Sequence, residues 1–342
     1  MKVKATKDVH IRSGSAKREG NANLKGILHK GFSIEVEDTK TDGEDIDGNS
    51  TWYKDKNGDW YWSGGFESRT SEEIPLINYN GITDDYEELV GLTGKGVKIG
   101  VLDTGILHEH PSFNSKEGLD QLSMKSFSNS AYGVVDRIGH GTSISGLIAG
   151  NDLSGIRGIA PNCHLHVAKF YNDDKSYDTQ CILDAIDWFV SNNVKLINMS
   201  FSVNYRRYQK LIPALNSLEE KGIICFAAAG NDDTLANDTF LYPAMDPNLI
   251  SVGAVSKRGI SINNKVDLLV PQEKITLPGI NDRLVTEESG SSVATAFISG
   301  ISALILEKSK NHSRDSLLKD LLDLALNYDS ITDFNKQIIL NP

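Results

Sequence analysis

The sequence predicts an α/β fold: a parallel sheet with helices on both faces, preceded by a small all-β module. Three observations carry this. From Lys95 onward, short apolar runs of strand length alternate with longer helical segments; strands joined through helices run parallel, with right-handed crossovers and both sheet faces covered. Residues 1–68 instead show period-two patterning and closely spaced glycines, the mark of short antiparallel strands. The 342 residues suffice for one large domain and a small one.

In the small module the apolar positions are Val3, Val9, Ile11, Ile27–Leu28, Ile34–Val36, Trp52–Tyr53 and Trp60–Trp62, punctuated by Gly14, Gly20, Gly26 and Gly31. TWYKDKNGDWYW at Thr51–Trp62 alternates around Asn57–Gly58, a strong hairpin signal. The acidic stretch Asp38–Asn49 reads as a solvated hairpin tip, because it lacks the full spacing and terminal Glu of a calcium loop. Residues 69–78 read as a linker and 79–342 as the α/β domain. Asp84–Leu92 is expected to form a short lead-in helix. Strands follow at Val97–Leu102, Leu165–Phe170, Leu196–Met199, Ile223–Ala228 and Leu249–Val255. Helices are expected at His140–Gly150, Asp178–Ser191, Tyr208–Glu220, Ser292–Glu307 and Ser316–Ala325. The second of these puts Ile182, Ile186 and Phe189 on one face.

Composition narrows the function classes. Hydrophobic content of 39% and charged content of 24% are those of an ordinary globular chain. A net charge of -11 argues against a nucleic-acid surface. No apolar run reads as a transmembrane segment, and MKVKATKDVHIRSG has no secretory apolar core. Cys163, Cys181 and Cys225 form no disulfide or metal framework, and Cys225 lies in the apolar run IICFAAAG. Reduced thiols and no leader point to the cytoplasm; a secreted or periplasmic location is the alternative if a signal was removed. His108–His110 and His164–His166 lack an evident third ligand and read as surface or packing histidines.

Three segments carry chemistry: GVLDTGI at Gly100–Ile106, GHGTSISG at Gly139–Gly146 and SGSSVATAFISG at Ser289–Gly300. They supply Asp103, His140 and Ser292 in that order. A hydroxyl nucleophile is weak until a base takes its proton, and an anionic partner must hold that base in one tautomer. Asp103 ends a predicted buried strand, and sites in open parallel sheets gather at the carboxyl ends of strands. Flanking glycines leave room around His140, and Thr142 is positioned to help cap the helix that follows. Ser292 opens an apolar helix, where the positive dipole end favours developing negative charge. Ser291 is the rival nucleophile. Alone, Asp103 would read as a turn cap; with the other two segments downstream it reads as catalytic.

The chain resembles the subtilisin-like (subtilase) serine peptidases from about Tyr79 to at least Ile305, roughly two thirds of its length. The resemblance implies a subtilisin-like parallel sheet and peptide-bond hydrolysis through an Asp-His-Ser triad and an acyl-enzyme. The family pattern Gly-Thr-Ser-Met-Ala selects Ser292 over Ser291, and it makes Asn231, after AAAG, an oxyanion donor. It further implies that an extended protein or peptide substrate adds as a strand. Ser200, Phe201 and Ser202 would line one wall, Ala228, Ala229 and Gly230 the primary pocket, and Leu241 its floor, with Phe170–Asp174 at the other edge of the channel. The chemistry calls for no cofactor and no metal, and Gly150–Pro161, resembling a calcium-binding loop of some members, offers few ligands. VHIRSG, LHKGFSIEV and WYKDKNGDWYW resemble bacterial SH3-like repeats, implying an SH3-like barrel over 1–68 that binds a ligand of its own.

Some positions depart from the family pattern. Ser202 stands for Gly and Leu241 for a smaller residue, which predicts a narrower pocket. Asp232 and Asp233 would favour a basic side chain near the cleavage site. Ala296 stands for Pro and Phe297 for His, which bears on rate and acyl-transfer preference. A regulatory or processing peptidase is the main expectation. The alternatives are a catalytically impaired fold that binds through its SH3-like module, and a peptide ligase.

Overall fold

The computed structural model describes residues 2–5, 7–16, 23–28, 33–40, 42–46, 50–68, 89–113, 121–151, 156–231, 242–256, 259–261, 266–271, 275–281, 285–309 and 312–326. The chain forms two compact units, the first built mainly on residues 1–74 and the second on most of the remainder. The expected linker at 69–78 lies outside the described residues.

Among the described residues, the strands of the first unit pair antiparallel. Its strands are β1 (Lys2–Ala5), β2 (Val9–Arg12), β3 (Leu24–Leu28), β4 (Ser33–Glu35), β5 (Asp38–Lys40), β6 (Trp52–Lys54), β7 (Trp60–Trp62) and β8 (Phe66–Ser68). They form two sheets ordered β4-β1-β8 and β3-β2-β7-β6-β5. The hairpin expected around Asn57–Gly58 pairs Trp52 with Trp62 and Lys54 with Trp60. Its turn is longer than a bare Asn-Gly pair. Asp55 Oδ1 accepts from the amides of Asn57 at 2.9 Å and Asp59 at 3.0 Å, and its Oδ2 accepts from the Tyr61 hydroxyl at 2.9 Å. Trp52, Trp60 and Ala16 form a small core. Of the acidic stretch Asp38–Asn49, Asp38–Lys40 form the exposed strand β5, Asp42 and Asp45 are exposed, and Gly43, Glu44 and Ile46 are half-buried; 41 and 47–49 lie outside the described residues.

The second unit is the expected α/β layer structure. Its sheet contains β9 (Lys98–Asp103), β10 (Leu122–Ser126), β11 (His164–Lys169), β12 (Leu196–Met199), β13 (Ile224–Ala228), β14 (Ile250–Ser256), β15 (Gly259–Ser261) and β16 (Leu268–Pro271). The parallel order is β10-β11-β9-β12-β13-β14; β15 pairs with β14 antiparallel and β16 parallel. β17 (Ile275–Pro278) and β18 (Val285–Glu288) form a separate hairpin. The helices are α1 (His140–Ala149), α2 (Thr179–Ser191), α3 (Tyr205–Glu220), α4 (Ser291–Lys308) and α5 (Arg314–Leu326).

Strand alternation sorts the helices onto two faces. Ile99, Val101, Val167, Phe226 and Val252 pack into one core with Ile144 and Leu147 of α1, Val293 and Phe297 of α4, and Leu317 of α5. Gly100 faces the other way, where a Cβ would meet the Phe189 ring of α2 at 2.9 Å. α2 packs in turn against α3. Helix α4 is buried on nearly every side. Among the described residues it alone is long and apolar enough to cross a membrane, a length the apolar-run reading did not anticipate, but 78% of its apolar window is buried in the protein.

Helix starts follow their caps. Asn204 Oδ1 accepts from the Arg207 amide at 3.0 Å, so α3 begins at Tyr205, earlier than expected. Asp178 caps α2 through the Gln180 amide. Of the expected lead-in helix, 84–88 lie outside the described residues and Leu89–Leu92 close a turn. β10, unforeseen, is an edge strand with no buried residue, so it carries no apolar run to read.

Candidate active site

The carboxyl end of β9 is where the site gathers. From β9 the chain builds β10 and β11 on one side and β12 to β14 on the other; a crevice opens where such connections diverge. Asp103, the last residue of β9, is 1% exposed. Its Oδ1 accepts from the Thr104 amide at 2.7 Å and lies 2.8 Å from His140 Nδ1, with Oδ2 at 3.0 Å. Both carboxylate oxygens therefore address one ring nitrogen, which assigns the proton to Nδ1 and leaves Nε2 as the basic lone pair.

His140 opens α1, and the local chain is built around it. Gly139 has φ +102, and a Cβ on Gly141 would meet the Gly105 carbonyl oxygen at 2.3 Å. The N-cap residue is Gly139, and the Thr142 hydroxyl, expected to help cap, instead donates to Asp136. Asp136 Oδ1 accepts from the amides of Ile138 (2.9 Å) and Gly139 (2.8 Å), and its Oδ2 from the Thr142 amide (2.9 Å) and hydroxyl (2.8 Å). This buried carboxylate satisfies amide donors on both sides of His140. Sequence reasoning missed it, because the N-cap position that carries a capping signal is occupied by Gly139 and Asp136 stands further back in the chain.

Lys169 was also missed. It ends β11 in register with Asp103 and is 0% exposed. Its ammonium donates to Ser130 Oγ at 3.1 Å, the Val135 carbonyl at 2.8 Å and Asp173 Oδ1 at 2.9 Å. All three donors are satisfied, as a buried ammonium requires. The bond to Val135 fixes the loop that delivers Asp136. The hydrogen bond from Lys169 also holds the Asp173 carboxyl below the usual range.

Charge sets the poise of His140. Burial disfavours its cation, but the charge and hydrogen bond of Asp103, with Glu288 and Asp136 farther off, outweigh it and raise its pKa above the usual imidazole value. The site thus stabilises an imidazolium, which a general base must become.

The segment that carries Ser292 opens α4. Gly290 enters the helix at φ +101, and a Cβ there would meet Asn231 Oδ1 at 2.7 Å. Ser291 is 1% exposed. Its amide and hydroxyl donate to Asn231 Oδ1 at 2.6 and 2.8 Å, and its Oγ accepts from the Gly230 amide at 3.1 Å. Ser291 is therefore a clamp on Asn231, and with Oδ1 so held the Asn231 carboxamide keeps Nδ2 as its donor. Ser292 is half-buried; its hydroxyl donates to the Ser200 carbonyl at 3.2 Å. Asp103 and His140 are in direct contact, whereas the Ser292 proton faces Ser200. A buried chain secures this corner: Ser200 Oγ donates to the Ser292 carbonyl at 2.9 Å, Asn198 Nδ2 to Ser200 Oγ at 2.9 Å, and Ser299 Oγ to Asn198 Oδ1 at 3.2 Å. Asn198 opens the NMSFS segment read as a channel wall and Ser299 lies inside the Ser289–Gly300 motif, but sequence reasoning gave neither this bracing role.

The expected channel residues flank this corner. Ser200 and Phe201 are buried, and Phe201 packs on Phe170 at 4.7 Å; Ser202 is exposed. Ala228, the last residue of β13, and Ala229 after it are buried, the Ala229 amide donating to the Val252 carbonyl, and Gly230 has φ +102. Leu241, Asp232 and Asp233 lie outside the described residues, as does part of Gly150–Pro161. Among the described residues, no group of three or more His, Cys, Asp or Glu is placed to hold a metal ion. His164 and His166 stack at 4.5 Å and His166 packs against Trp188, while His110 packs on Phe113. Cys163 and Cys225 are buried, and burial pushes the Cys163 thiol up to about 12.

The model of the subtilase family matches residues 94–335. Subtilisin NAT of Bacillus subtilis subsp. natto is 32% identical over 247 residues, covering 70% of this chain and 62% of the relative, so the chain spans under two thirds of that protein. Subtilisin DY of Bacillus licheniformis is 30% identical over 275 residues, covering 78% of this chain and 95% of the relative. A solved cold-adapted subtilisin-like serine proteinase superposes with a TM-score of 0.58 at 26% identity, covering 68% of this chain and 83% of its own. Sphericase gives a TM-score of 0.58 at 26% identity, covering 75% and 91%. With these matches and the site at the carboxyl end of β9, the chain belongs to the subtilase family.

Proposed function

We propose that the protein is a serine endopeptidase that hydrolyses peptide bonds through an acyl-enzyme. The observation that carries this is the buried Asp103 carboxylate bound to His140 Nδ1 at 2.8 and 3.0 Å. Ser292 Oγ attacks the substrate carbonyl as its proton passes to His140 Nε2. Asp103 orients His140 and stabilises its cation. Asn231 Nδ2 and the Ser292 amide receive the oxyanion. His140 then protonates the leaving amine, and water repeats the cycle on the ester. Ser200, Phe201 and Ser202 form one substrate wall and Ala228 to Gly230 the primary pocket, which Ser202 makes narrower. We read the enzyme as a regulatory or processing peptidase acting on protein or peptide substrates in the cytoplasm. Residues 1–68 are read as an SH3-like module with its own ligand, joined by 69–78 to the peptidase domain at 79–342; two antiparallel sheets in the first unit support a β module there.

Labelling with a fluorophosphonate, followed by intact mass, tests the chemistry. The expected result is one adduct on the wild type and none on Ser292→Ala. No adduct on the wild type would overturn the reading.

A further inference from the structure

Arg207 stands out in the neighbourhood of the site. Its guanidinium lies over the Tyr177 ring, 4.2 Å from the centroid. Tyr177 meets Phe170 edge-on at 5.2 Å, and Phe170 packs on Phe201 at 4.7 Å. Phe201 follows Ser200, whose carbonyl receives the Ser292 hydroxyl. An unbroken series of contacts thus links the nucleophile to this cation. Tyr171, which meets Tyr177 edge-on at 5.2 Å, senses both ends, since its phenol feels the charge of Asp103 and of Arg207.

Arg207 is half-buried, and among the described residues its guanidinium makes no ion pair and no hydrogen bond to protein. That is unusual in a chain of net charge -11. The groups whose charge reaches His140 are all acidic: Asp103, Glu288 and Asp136. A guanidinium fixed by stacking is pre-organised, with its N–H edges open to a planar anion.

The geometry points to Arg207 as a specificity-determining residue that binds an acidic side chain of the substrate. This inference rests on the proposed peptidase reading. An extended peptide lying along Ser200–Val203 advances about 3.3 Å per residue, so the side chain that reaches Arg207 lies within about four residues of the scissile bond. A carboxylate there completes the charge-assisted pair that Arg207 lacks.

The test uses internally quenched peptides in which Glu replaces Gln at each position within four residues of the cleaved bond. Wild-type kcat/KM is expected to favour Glu over Gln about tenfold at one position, with the preference shrinking as salt rises. Arg207→Gln should bring that ratio to about one, and Arg207→Glu should move the preference to Lys. Affinity of the same peptides for Ser292→Ala is measured alongside, so the preference is read even if turnover fails. A labelled, active wild type with equal rates for Glu and Gln at every position would overturn the inference and leave the peptidase reading standing. Arg207→Gln lowering both substrates equally would also overturn it, showing a packing role over Tyr177. Absence of labelling together with a Glu preference in binding would overturn the peptidase reading and leave the recognition site.

Discussion

His140 sits between burial, which favours its neutral ring, and Asp103, which favours its cation; the second prevails. A base whose pKa is raised is more fully deprotonated only at higher pH. The labelling rate should therefore rise with pH along a limb whose midpoint lies above about 6.5. Asp103→Asn removes both the charge and the Nδ1 acceptor. It should move that midpoint down and cut the maximal rate by about 10⁴-fold. A midpoint below 6.5 in the wild type would contradict the electrostatic account. Asp136 makes a different prediction. Asp136→Ala leaves four donors around His140 without their acceptor, which should cost roughly 2–4 kcal/mol in urea unfolding and slow labelling in parallel. Asp103 and His140 were legible because the chemistry restricts which residue types can serve and in what order. Asp136, Lys169, Asn198 and Ser299 were not. Many of their partners are backbone groups or lie far off in sequence, and a single buried polar residue has no period to betray it.

Among the elements, the buried strands β9, β11, β12 and β13 were readable as apolar runs, because a parallel sheet covered on both faces admits little else. The edge strand β10 has half its neighbours missing and no such run. The entry to α4 was readable as a motif but not as a strained turn. Gly290 is at φ +101 with Asn231 against it, so Gly290→Ala should push Asn231 aside and slow labelling at least tenfold, with a loss of about 1–3 kcal/mol in stability. Unchanged labelling would mean the Ser291–Asn231 clamp does not matter. β11 carries a pH-dependent weakness of its own. His166 is 1% exposed, and burial, with the neighbouring His164 and Lys98 charges, lowers its pKa to about 4. A His with a depressed folded pKa contributes stability above its unfolded value near 6.5, and loses it as pH falls toward the folded one. Stability should accordingly drop by roughly 2–3 kcal/mol more in the wild type than in His166→Gln between pH 7.5 and 4.5. Urea unfolding of both proteins at the two pH values checks this, and parallel losses would refute it.

On the scale of the whole molecule, the shift from period-two patterning to alternating strands and helices marked two architectures, and the chain has two units. What the sequence could not convey was how each is sewn internally, through Asp55 in one and through Asp136 and Lys169 in the other. Each unit buries apolar residues of its own: Trp52, Trp60 and Ala16 in the first, and the sheet-and-helix cluster around Val101, Phe226 and Phe297 in the second. The four tryptophans divide unevenly, with Trp52, Trp60 and Trp62 in the first unit and Trp188 in the second. Indole fluorescence thus reports chiefly on the first unit, while fluorophosphonate labelling reports on the second. Trp52 is 1% exposed, so Trp52→Ala should destabilise the first unit by about 3–5 kcal/mol. If the cores are energetically separate, as independent domains are, the fluorescence transition moves to lower temperature while the labelling rate at 25 °C stays within about twofold of wild type. The two probes would then give non-coincident melts, the signature of unfolding that is not two-state. Coincident melts, or labelling lost along with the fluorescence change, would mean that the two units unfold as one.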